Sequence, residues 1–317
     1  MFCKRTNRRF PTKGTGVLFF IPLFLAGVLF SGFLCDAALM GNTGGMSAGS
    51  AAKAAFVRTA GLTRADAAHT ADGAREDTVV VCIDAGHGGE NLGAEWNGFT
   101  EKELTLAVAL AMRDRLQKYD GVEVYMTRTD DADMTLEERV SYAASVRADF
   151  LFSLHFNASE NKQLYGDEVW ASAFGEYYVK GRQFGLLETE ALSALGLVNR
   201  GVKTKVNDKG TDYYGIMRHG VEYGVPAVIV EHCHIDNERD EGFYETREKC
   251  VMLGELDADC AAEYFGLSSA SLGVSFAGRK LADVPVPKNP VMQDTTPPDV
   301  CLATDRKSTR LNSSHGY

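Results

Sequence analysis

Four side chains that could bind a metal ion or move a proton stand where strands end or a helix begins. His87 and His155 each follow a short apolar run, Glu231 closes another, and Glu101 stands in the first turn of a predicted helix. Ligands of open α/β sheets collect at the carboxyl ends of parallel strands. If the three strands are parallel neighbours, we expect these side chains to meet at one edge of a sheet.

Two imidazoles and one carboxylate are a common ligand set for catalytic zinc, in which the fourth position is left to water. A second carboxylate nearby can then take a proton from that water. The residue types alone leave open which of Glu101 and Glu231 would be the ligand and which the base. None of the predicted strands leads into a nucleophile elbow, and no Gly-Lys-Ser/Thr follows the glycines at 88–89, so neither serine-hydrolase nor phosphate-loop chemistry is indicated.

Each of these residues has an ordinary explanation when it is taken alone. A His in a Gly-rich turn is more often a surface residue than a ligand, and a Glu in a first helical turn is favoured by the helix dipole. Glu231 is harder to explain in this way, because a buried carboxylate needs a partner or an altered pKa. Taken together, the four residues favour a metal site.

The pattern around these residues predicts strands that alternate with helices. Short β-branched apolar runs are typical of strands buried on both faces. They occupy residues 78–84, 122–127, 150–154, 166–172 and 227–231. Helices are predicted after capping boxes at 100–103 and 135–138, and from apolar periodicity at 177–195 and 246–264. This alternation predicts a single α/β domain with a mixed, mainly parallel sheet flanked by helices on both faces.

The chain divides into five segments by composition. Residues 1–37 have a basic start and then a long uncharged apolar run, which is the layout of a cleaved signal peptide or of a retained signal anchor. Residues 38–77 are rich in Ala, Gly, Ser and Thr and are typical of a flexible spacer. We expect the folded domain at 78–267, a Pro-rich linker at 268–300, and a truncated or non-native tail at 301–317.

Composition narrows the class of protein. The 317 residues have a formal net charge of -10, with 45% hydrophobic and 24% charged residues, which is typical of a globular chain. A nucleic-acid partner is not expected, because binding to phosphates needs a basic stripe. Beyond the leader the cysteines are odd in number and lack metal-knuckle spacing, and the sequence leaves open whether Cys250 and Cys260 pair.

Seven segments occur in an order that resembles a known enzyme family. They are IDAGHGG (83–89), LGAEWNGFTEKELTL (92–106), MTRTDD (126–131), LEERVSYAA (136–144), ADFLFSLHFNA (148–158), RGVKT (200–204) and PAVIVE (226–231). Over residues 78–266 the chain resembles the zinc-dependent N-acetylmuramoyl-L-alanine amidases of bacterial cell-wall remodelling. Arg128 and Arg139 match family positions that we interpret as structural, bracing the sheet edge.

The resemblance implies a role for each of the four residues named above. His87, Glu101 and His155 would bind Zn²⁺, and Glu231 would act as base and then as acid to the leaving amine. The reaction would be hydrolysis of the amide between N-acetylmuramic acid and L-alanine, outside the cytoplasm, in wall turnover or cell separation. Peptidoglycan is the expected partner; the membrane would be reached only through an uncleaved leader, and no protein activator can be named.

The chain departs from the family pattern directly after Glu231. Relatives usually continue with Gly-Phe and a small residue before Asn, whereas this chain reads EHCHIDN at 231–237. His232 and His234 could bind metal or line the pocket. We favour lining, because the ligand set is complete without them.

Two alternative functions stay open at this point. A zinc peptidase on the same scaffold could cut within the stem peptide. A non-catalytic relative could bind the wall or regulate its synthesis. The second alternative predicts that ligands have been lost, whereas all four candidate residues are present.

Overall fold

The computed structural model describes residues 78–292, so the predicted leader, spacer and tail lie outside the described residues. Its helices are α1 (Glu101–Leu116), α2 (Leu136–Ser145), α3 (Gly175–Ala194), α4 (Gly215–Tyr223), α5 (Glu238–Glu241) and α6 (Arg247–Phe265). Its strands are β1 (Val79–Ala85), β2 (Glu95–Trp96), β3 (Phe99–Thr100), β4 (Val122–Met126), β5 (Phe150–Asn157), β6 (Asp167–Ala171), β7 (Asn199–Lys203), β8 (Ala227–His234), β9 (Ser268–Ser269) and β10 (Val274–Ser275).

Six of these strands form one sheet in the order β4-β1-β5-β8-β6-β7. Every neighbouring pair is parallel except β6 and β8, which are antiparallel. The three central strands β1, β5 and β8 are buried almost along their whole length, as their apolar runs predict. The predicted mixed, mainly parallel sheet is confirmed.

Helices cover both faces of the sheet, which confirms the predicted layering. Successive strand residues face opposite sides. Ile83 and Phe152 therefore pack beneath α1, α3 and α6, while Cys82 and Leu151 pack beneath α2 and α4. Burying one side chain of the size of Phe or Leu stabilises the fold by about 1.5–3 kcal/mol. Within residues 78–292, no helix combines the length and the apolar character that crossing a membrane requires.

Two central strands continue further than their apolar runs predict. β5 extends to Asn157 and β8 to His234, so His155 and Glu231 lie inside strands rather than at or after their ends. The prediction ended each strand where its apolar pattern stops. The ladder continues because the polar side chains that follow are buried as well.

Helix α2 begins with the capping box that the sequence predicts. The Thr135 side chain accepts a hydrogen bond from the Glu138 amide, and the Glu138 carboxylate accepts one from the Thr135 amide. Such an arrangement satisfies two amides that have no partner inside the helix. This prediction is confirmed.

The capping box predicted at the start of α1 is wrong. The Thr100 hydroxyl donates to the Glu103 carboxylate at 2.8 Å and caps no amide of the helix. The Glu101 amide donates instead to the Ala94 carbonyl at 2.9 Å. Because the preceding loop folds back and supplies this acceptor, the helix start does not depend on the threonine.

Several short elements were not predicted from the sequence. They are strand β7, helices α4 and α5, and the two hairpins β2–β3 and β9–β10. β7 has the sequence NRGVK, which alternates poorly, yet its Arg200 and Lys203 are both buried. A strand that contains charged residues is not predicted from apolar runs alone.

Part of the segment predicted as a Pro-rich linker is held against the domain. Residues 283–292 contain neither helix nor strand. The Val291 amide donates to the Ala173 carbonyl at 2.9 Å, and the Thr204 hydroxyl donates to the Val291 carbonyl. This extended segment therefore runs next to the ends of β6 and β7 as far as the described residues reach.

Candidate metal centre

His87 lies in the loop that leaves β1, two residues beyond the end of the strand. Its backbone has φ 60°, in the left-handed region that non-glycine residues rarely adopt. The neighbouring Gly86 is required for a different reason. A Cβ at this position would collide with the imidazole ring of His155. Gly86 therefore lets the loop approach the second histidine closely.

Two buried arginines hold the carbonyl groups of this loop. The Arg139 guanidinium donates to the Ala85 carbonyl at 2.7 Å and to the His87 carbonyl at 2.7 Å. It also forms an ion pair with Asp84 at 2.6 Å. Arg128 donates to the Ala85 carbonyl at 2.9 Å. Both side chains therefore contact the backbone that positions His87, in line with the structural role inferred for them from the sequence.

His87, Glu101 and His155 converge although they are far apart in the sequence. Glu101 Oε1 lies 3.0 Å from His87 Nε2 and 3.0 Å from His155 Nδ1. One possible ligand atom of each residue lies within 4.8 Å of the others, and all three residues are buried. The structure thus brings together the three residues that the resemblance implies as zinc ligands.

The hydrogen bonds around these residues fit a cation among them. His87 Nδ1 lies 2.9 Å from Asn91 Oδ1, and His155 Nε2 lies 3.2 Å from the Ser153 hydroxyl. The Ser153 hydroxyl itself donates to the Asp84 carboxylate. Both partners accept, so these nitrogens donate, and neutral imidazoles would present lone pairs to Glu101. Lone pairs and a carboxylate oxygen repel each other unless a cation lies between them. The donor set therefore fits a divalent metal ion such as Zn²⁺.

The charges of the cluster shift the pKa values of its members in a consistent way. Burial lowers the pKa of His87, but the Glu101 carboxylate and the hydrogen bonds to Glu101 and Asn91 outweigh it, and the pKa is raised. Burial lowers the pKa of His155. Burial raises the pKa of Glu101, but the charges and hydrogen bonds of the two imidazoles hold it well below its usual range. A proton on His87 and a metal ion would therefore compete for the same place.

Glu231 stands beside His155 on the same face of the sheet. The two are register partners on the parallel strands β5 and β8, which lie about 4.8 Å apart. Glu231 is 0% exposed. Burial, followed by the charges of Glu101 and Glu168, raises its pKa well above the usual range, although Lys203 opposes the shift. A buried carboxyl group with a raised pKa next to candidate metal ligands is a candidate for proton transfer.

A buried ion network, not found by the sequence analysis, lies on the other side of Glu231. Glu168 is the antiparallel register partner of Glu231. Its carboxylate accepts from Lys203 Nζ at 2.7 Å, Arg200 Nε at 2.7 Å and Asn157 Nδ2 at 2.8 Å. Arg200 and Lys203 lie in the RGVKT segment of the family resemblance, which assigned them no role. The sequence shows Glu168 only as a charged residue near the start of the predicted strand at 166–172, which does not indicate a functional role.

The structure places neither His232 nor His234 in the metal cluster. His232 Nε2 lies 3.0 Å from the Asp257 carboxylate on α6, so this ring lies on the face of the sheet opposite the His155 imidazole. His234 Nδ1 lies 3.1 Å from the Gly166 carbonyl. Both histidines are 0% exposed. For His232, the interpretation as a pocket-lining residue is wrong, because the strand alternation turns it into the core.

Cys250 and Cys260 do not form a disulfide. Both lie on α6, where the rise of about 1.5 Å per residue separates them by about 15 Å. A disulfide requires Cα atoms within about 7 Å. Each thiol instead lies near a backbone carbonyl, that of Tyr244 for Cys250 and that of Leu187 for Cys260.

The fold and the site together define a class. An α/β domain that gathers two imidazoles and a carboxylate beside a buried carboxyl group, near the carboxyl ends of parallel strands, is typical of hydrolases that use a metal ion. Residues 81–259 match the family described as N-acetylmuramoyl-L-alanine amidase. This match covers more than half of the chain. The chain belongs to the N-acetylmuramoyl-L-alanine amidase family.

Individual relatives agree with this assignment. The chain is 32% identical over 197 residues to N-acetylmuramoyl-L-alanine amidase CwlM of Bacillus licheniformis, covering 60% of this chain and 70% of that protein. It is 30% identical over 198 residues to the sporulation-specific N-acetylmuramoyl-L-alanine amidase of Bacillus subtilis, covering 61% and 71%.

Solved structures show the same fold. The chain is similar to Cwp6 from Clostridium difficile, with a TM-score of 0.56 and 30% identity over 59% of this chain and 29% of that one. It is also similar to the catalytic domain of the amidase CwlV from Bacillus (Paenibacillus) polymyxa, with a TM-score of 0.51 and 27% identity over 59% and 98%. The chain thus spans less than a third of Cwp6 and nearly all of the CwlV domain.

Proposed function

We propose that this domain is a zinc-dependent amidase that hydrolyses the amide between the lactyl group of N-acetylmuramic acid and L-alanine in peptidoglycan. The observation that carries the proposal is the convergence of His87, Glu101 and His155 within 4.8 Å, with Glu231 in register beside His155. Membership of the amidase family supports the choice of the bond that is cut.

Three side chains would hold the metal ion in this proposal. They are His87 through Nε2, His155 through Nδ1 and Glu101 through a carboxylate oxygen. When bound there, Zn²⁺ supplies Lewis-acid chemistry: it makes water more acidic and polarises a carbonyl oxygen. Asn91 and Ser153 orient the two imidazoles through the hydrogen bonds described above, which presents the ligand nitrogens to the ion.

Glu231 would carry out the proton transfers. Its carboxylate takes a proton from the attacking water and then returns it to the nitrogen of the leaving alanine as the C–N bond breaks. Burial and the charges of Glu101 and Glu168 favour the protonated form. Glu231 is therefore well suited to the second step, in which it acts as an acid.

We also propose that the domain acts outside the cytoplasm. Peptidoglycan lies there, and residues 1–37 have the composition of an export signal. Wall turnover or the separation of daughter cells is the proposed setting.

The test is digestion of purified peptidoglycan, followed by mass spectrometry of the released fragments. An amidase releases stem peptides that begin with L-alanine and leaves a free lactyl carboxylate on the glycan. A chelator should abolish this release, and added Zn²⁺ should restore it. New amino termini at other residues would indicate a peptidase instead. Binding to the wall without any release would indicate a non-catalytic protein.

A pair of matched substitutions tests the role of Glu231. Glu231→Gln keeps the size of the side chain and should lower kcat by about 10²- to 10⁴-fold with bound zinc unchanged. Glu222→Gln is the control, because Glu222 lies on α4 with 58% of its side chain exposed. Full activity in Glu231→Gln would overturn the assignment of the base.

A further inference from the structure

His232 connects the backbone of His155 to helix α6. Its Nδ1 lies 3.0 Å from the His155 carbonyl oxygen, and its Nε2 lies 3.1 Å and 3.0 Å from the two carboxylate oxygens of Asp257. The side chains of His232 and Asp257 are both 0% exposed. Burying such groups is unfavourable unless their hydrogen bonds are made, and here both nitrogens have partners.

The acceptors determine the direction of these hydrogen bonds. A backbone carbonyl only accepts, so His232 Nδ1 donates to His155. One further proton lies between His232 Nε2 and the Asp257 carboxyl group. Whichever of these two groups carries it, Nδ1 remains the donor to the His155 carbonyl. Removal of Asp257 would leave Nε2 without this partner in the core. The carboxyl group therefore supports the contact between His232 and the His155 backbone.

This contact falls where the ladder between β5 and β8 changes register. His155 pairs with Glu231, but Asn157 pairs with His234, so Phe156 alone lies opposite two residues of β8. Such a bulge interrupts the ladder and changes the direction of the side chains next to it. The residues that immediately precede this bulge are His155 and Glu231.

We infer that the His232–Asp257 pair is a positioning device for the metal centre, acting from the opposite face of the sheet. The imidazole ties β8 to the carbonyl of His155 at the bulge, and Asp257 ties the imidazole to α6. The proposed metal ligand and the proposed base are thereby held at a set distance from each other. This inference rests on the proposed function, and it gives His232 a role in place of the pocket lining expected from the sequence.

Zinc affinity and a spectrum of the metal site test the inference without using activity. Zn²⁺ binding to the full chain is measured by competition with a chromophoric chelator, and the Co²⁺-loaded protein reports the ligand geometry through its visible absorption. His232→Phe keeps a ring but loses the donor to His155. Its Zn²⁺ dissociation constant should rise about 10- to 100-fold, with an altered Co²⁺ spectrum.

Two substitutions at Asp257 separate positioning from packing. Asp257→Leu leaves Nε2 unpaired and should weaken Zn²⁺ binding in the same way as His232→Phe. Asp257→Asn keeps a side-chain amide that can donate to Nε2, so its affinity should stay close to that of the wild type. The double variant His232→Phe/Asp257→Leu should bind no more weakly than His232→Phe, because the two residues act as one unit.

Asp259→Asn is the matched control on the same helix. Asp259 accepts from Arg115 Nε at 2.6 Å and from the Tyr119 hydroxyl at 2.6 Å, so it joins α6 to α1 away from the site. This variant should unfold at lower urea concentration and still bind Zn²⁺ like the wild type. If Asp259→Asn also weakens Zn²⁺ binding, the effect comes from loosening α6 in general, and that result would overturn the inference.

The remaining outcomes keep the inference distinct from the proposed function. Wild-type affinity and spectrum in both His232→Phe and Asp257→Leu would overturn the positioning role. If His232→Phe does not fold, equal affinities of Asp257→Leu and Asp257→Asn would overturn it in the same way. A wild type that binds Zn²⁺ but releases no alanine-terminated peptides would overturn the proposed reaction only. A wild type that binds no Zn²⁺ would overturn both.

Discussion

Glu168 and Glu231 are direct neighbours across the antiparallel strands β6 and β8, and both are buried on the same face of the sheet. Two adjacent buried carboxyl groups do not both ionise without compensating cations. Burial raises the pKa of Glu168, but Lys203 and Arg200 outweigh it and hold that pKa well below its usual range. The pKa of Glu231 is raised. Of the two carboxyl groups, Glu168 is therefore the one that ionises more readily.

We expect opposite shifts in the pH profile when either charge next to Glu231 is removed. Glu168→Gln removes a negative charge and lowers the pKa of Glu231, whereas Lys203→Met removes a positive charge and raises it. A base must be ionised to work, so activity falls as the pH drops through its pKa. The acidic limb of kcat/KM against pH should move to lower pH in Glu168→Gln and to higher pH in Lys203→Met.

The double variant Glu168→Gln/Lys203→Met is the control for this prediction. Its acidic limb should lie between those of the two single variants, because the two charge changes oppose each other. Shifts of both single variants in the same direction would show that altered packing, rather than charge, is responsible.

Zinc affinity should fall as the pH is lowered through the pKa of His87. Glu101 raises this pKa against the effect of burial, so a proton must leave His87 Nε2 before a metal ion can bind there. Calorimetry in buffers of different ionisation enthalpy measures the protons released on binding. Affinity that is independent of pH would contradict this competition.

Asn91→Leu removes the acceptor that orients the His87 ring and should raise the Zn²⁺ dissociation constant about 10-fold or more.

The candidate ligands were predictable because each lies close to a strand or helix whose own pattern is strong. β1, β5 and β8 are apolar runs, so the positions of His87, His155 and Glu231 at one edge follow from a parallel sheet. The predicted ends of β5 and β8 are too early, because their apolar runs stop at the first polar residue while the strands continue.

Residues with distant polar partners could not be predicted in this way. Lys203 is buried where Glu168 on β6 accepts its hydrogen bond, and the pattern of a single segment does not predict such a pairing. The same holds for His232, whose partner Asp257 comes from a helix that follows β8 and returns over the sheet. The fold class depends on local periodicity, whereas these pairs depend on packing between elements.

Arg139→Met should destabilise the domain by about 3–5 kcal/mol at neutral pH, because it leaves Asp84 as an uncompensated buried charge. Burial raises the pKa of Asp84, but the Arg139 charge and the hydrogen bonds from Ser153, Thr127 and Arg139 outweigh it and lower the pKa to about 2. This pKa lies below the ordinary 3.8, so the stabilisation is present above pH 3.8 and is lost as the pH falls towards 2.

Urea unfolding at several pH values checks the Arg139 prediction. The gap between wild type and Arg139→Met should be largest near neutral pH and should narrow in acid, where Asp84 becomes protonated. Asp84→Asn/Arg139→Met should recover part of the loss, because it removes the buried charge. A single variant as stable as the wild type at neutral pH would contradict the role assigned to this pair.

Asp167 should make the domain less stable as the pH rises. Burial, followed by the charges of Glu168 and Asp240, raises its pKa from 3.8 to about 8. As the pH rises, the unfolded chain releases this proton before the folded chain does. Between pH 3.8 and about pH 8, the free energy of unfolding of the wild type should therefore fall by about 1.4 kcal/mol per pH unit relative to that of Asp167→Asn, which cannot titrate. Urea unfolding from acid to mildly alkaline pH measures the difference, with the exposed Asp208→Asn as the control. A constant gap between wild type and Asp167→Asn would mean that the buried carboxyl group is ionised throughout this range.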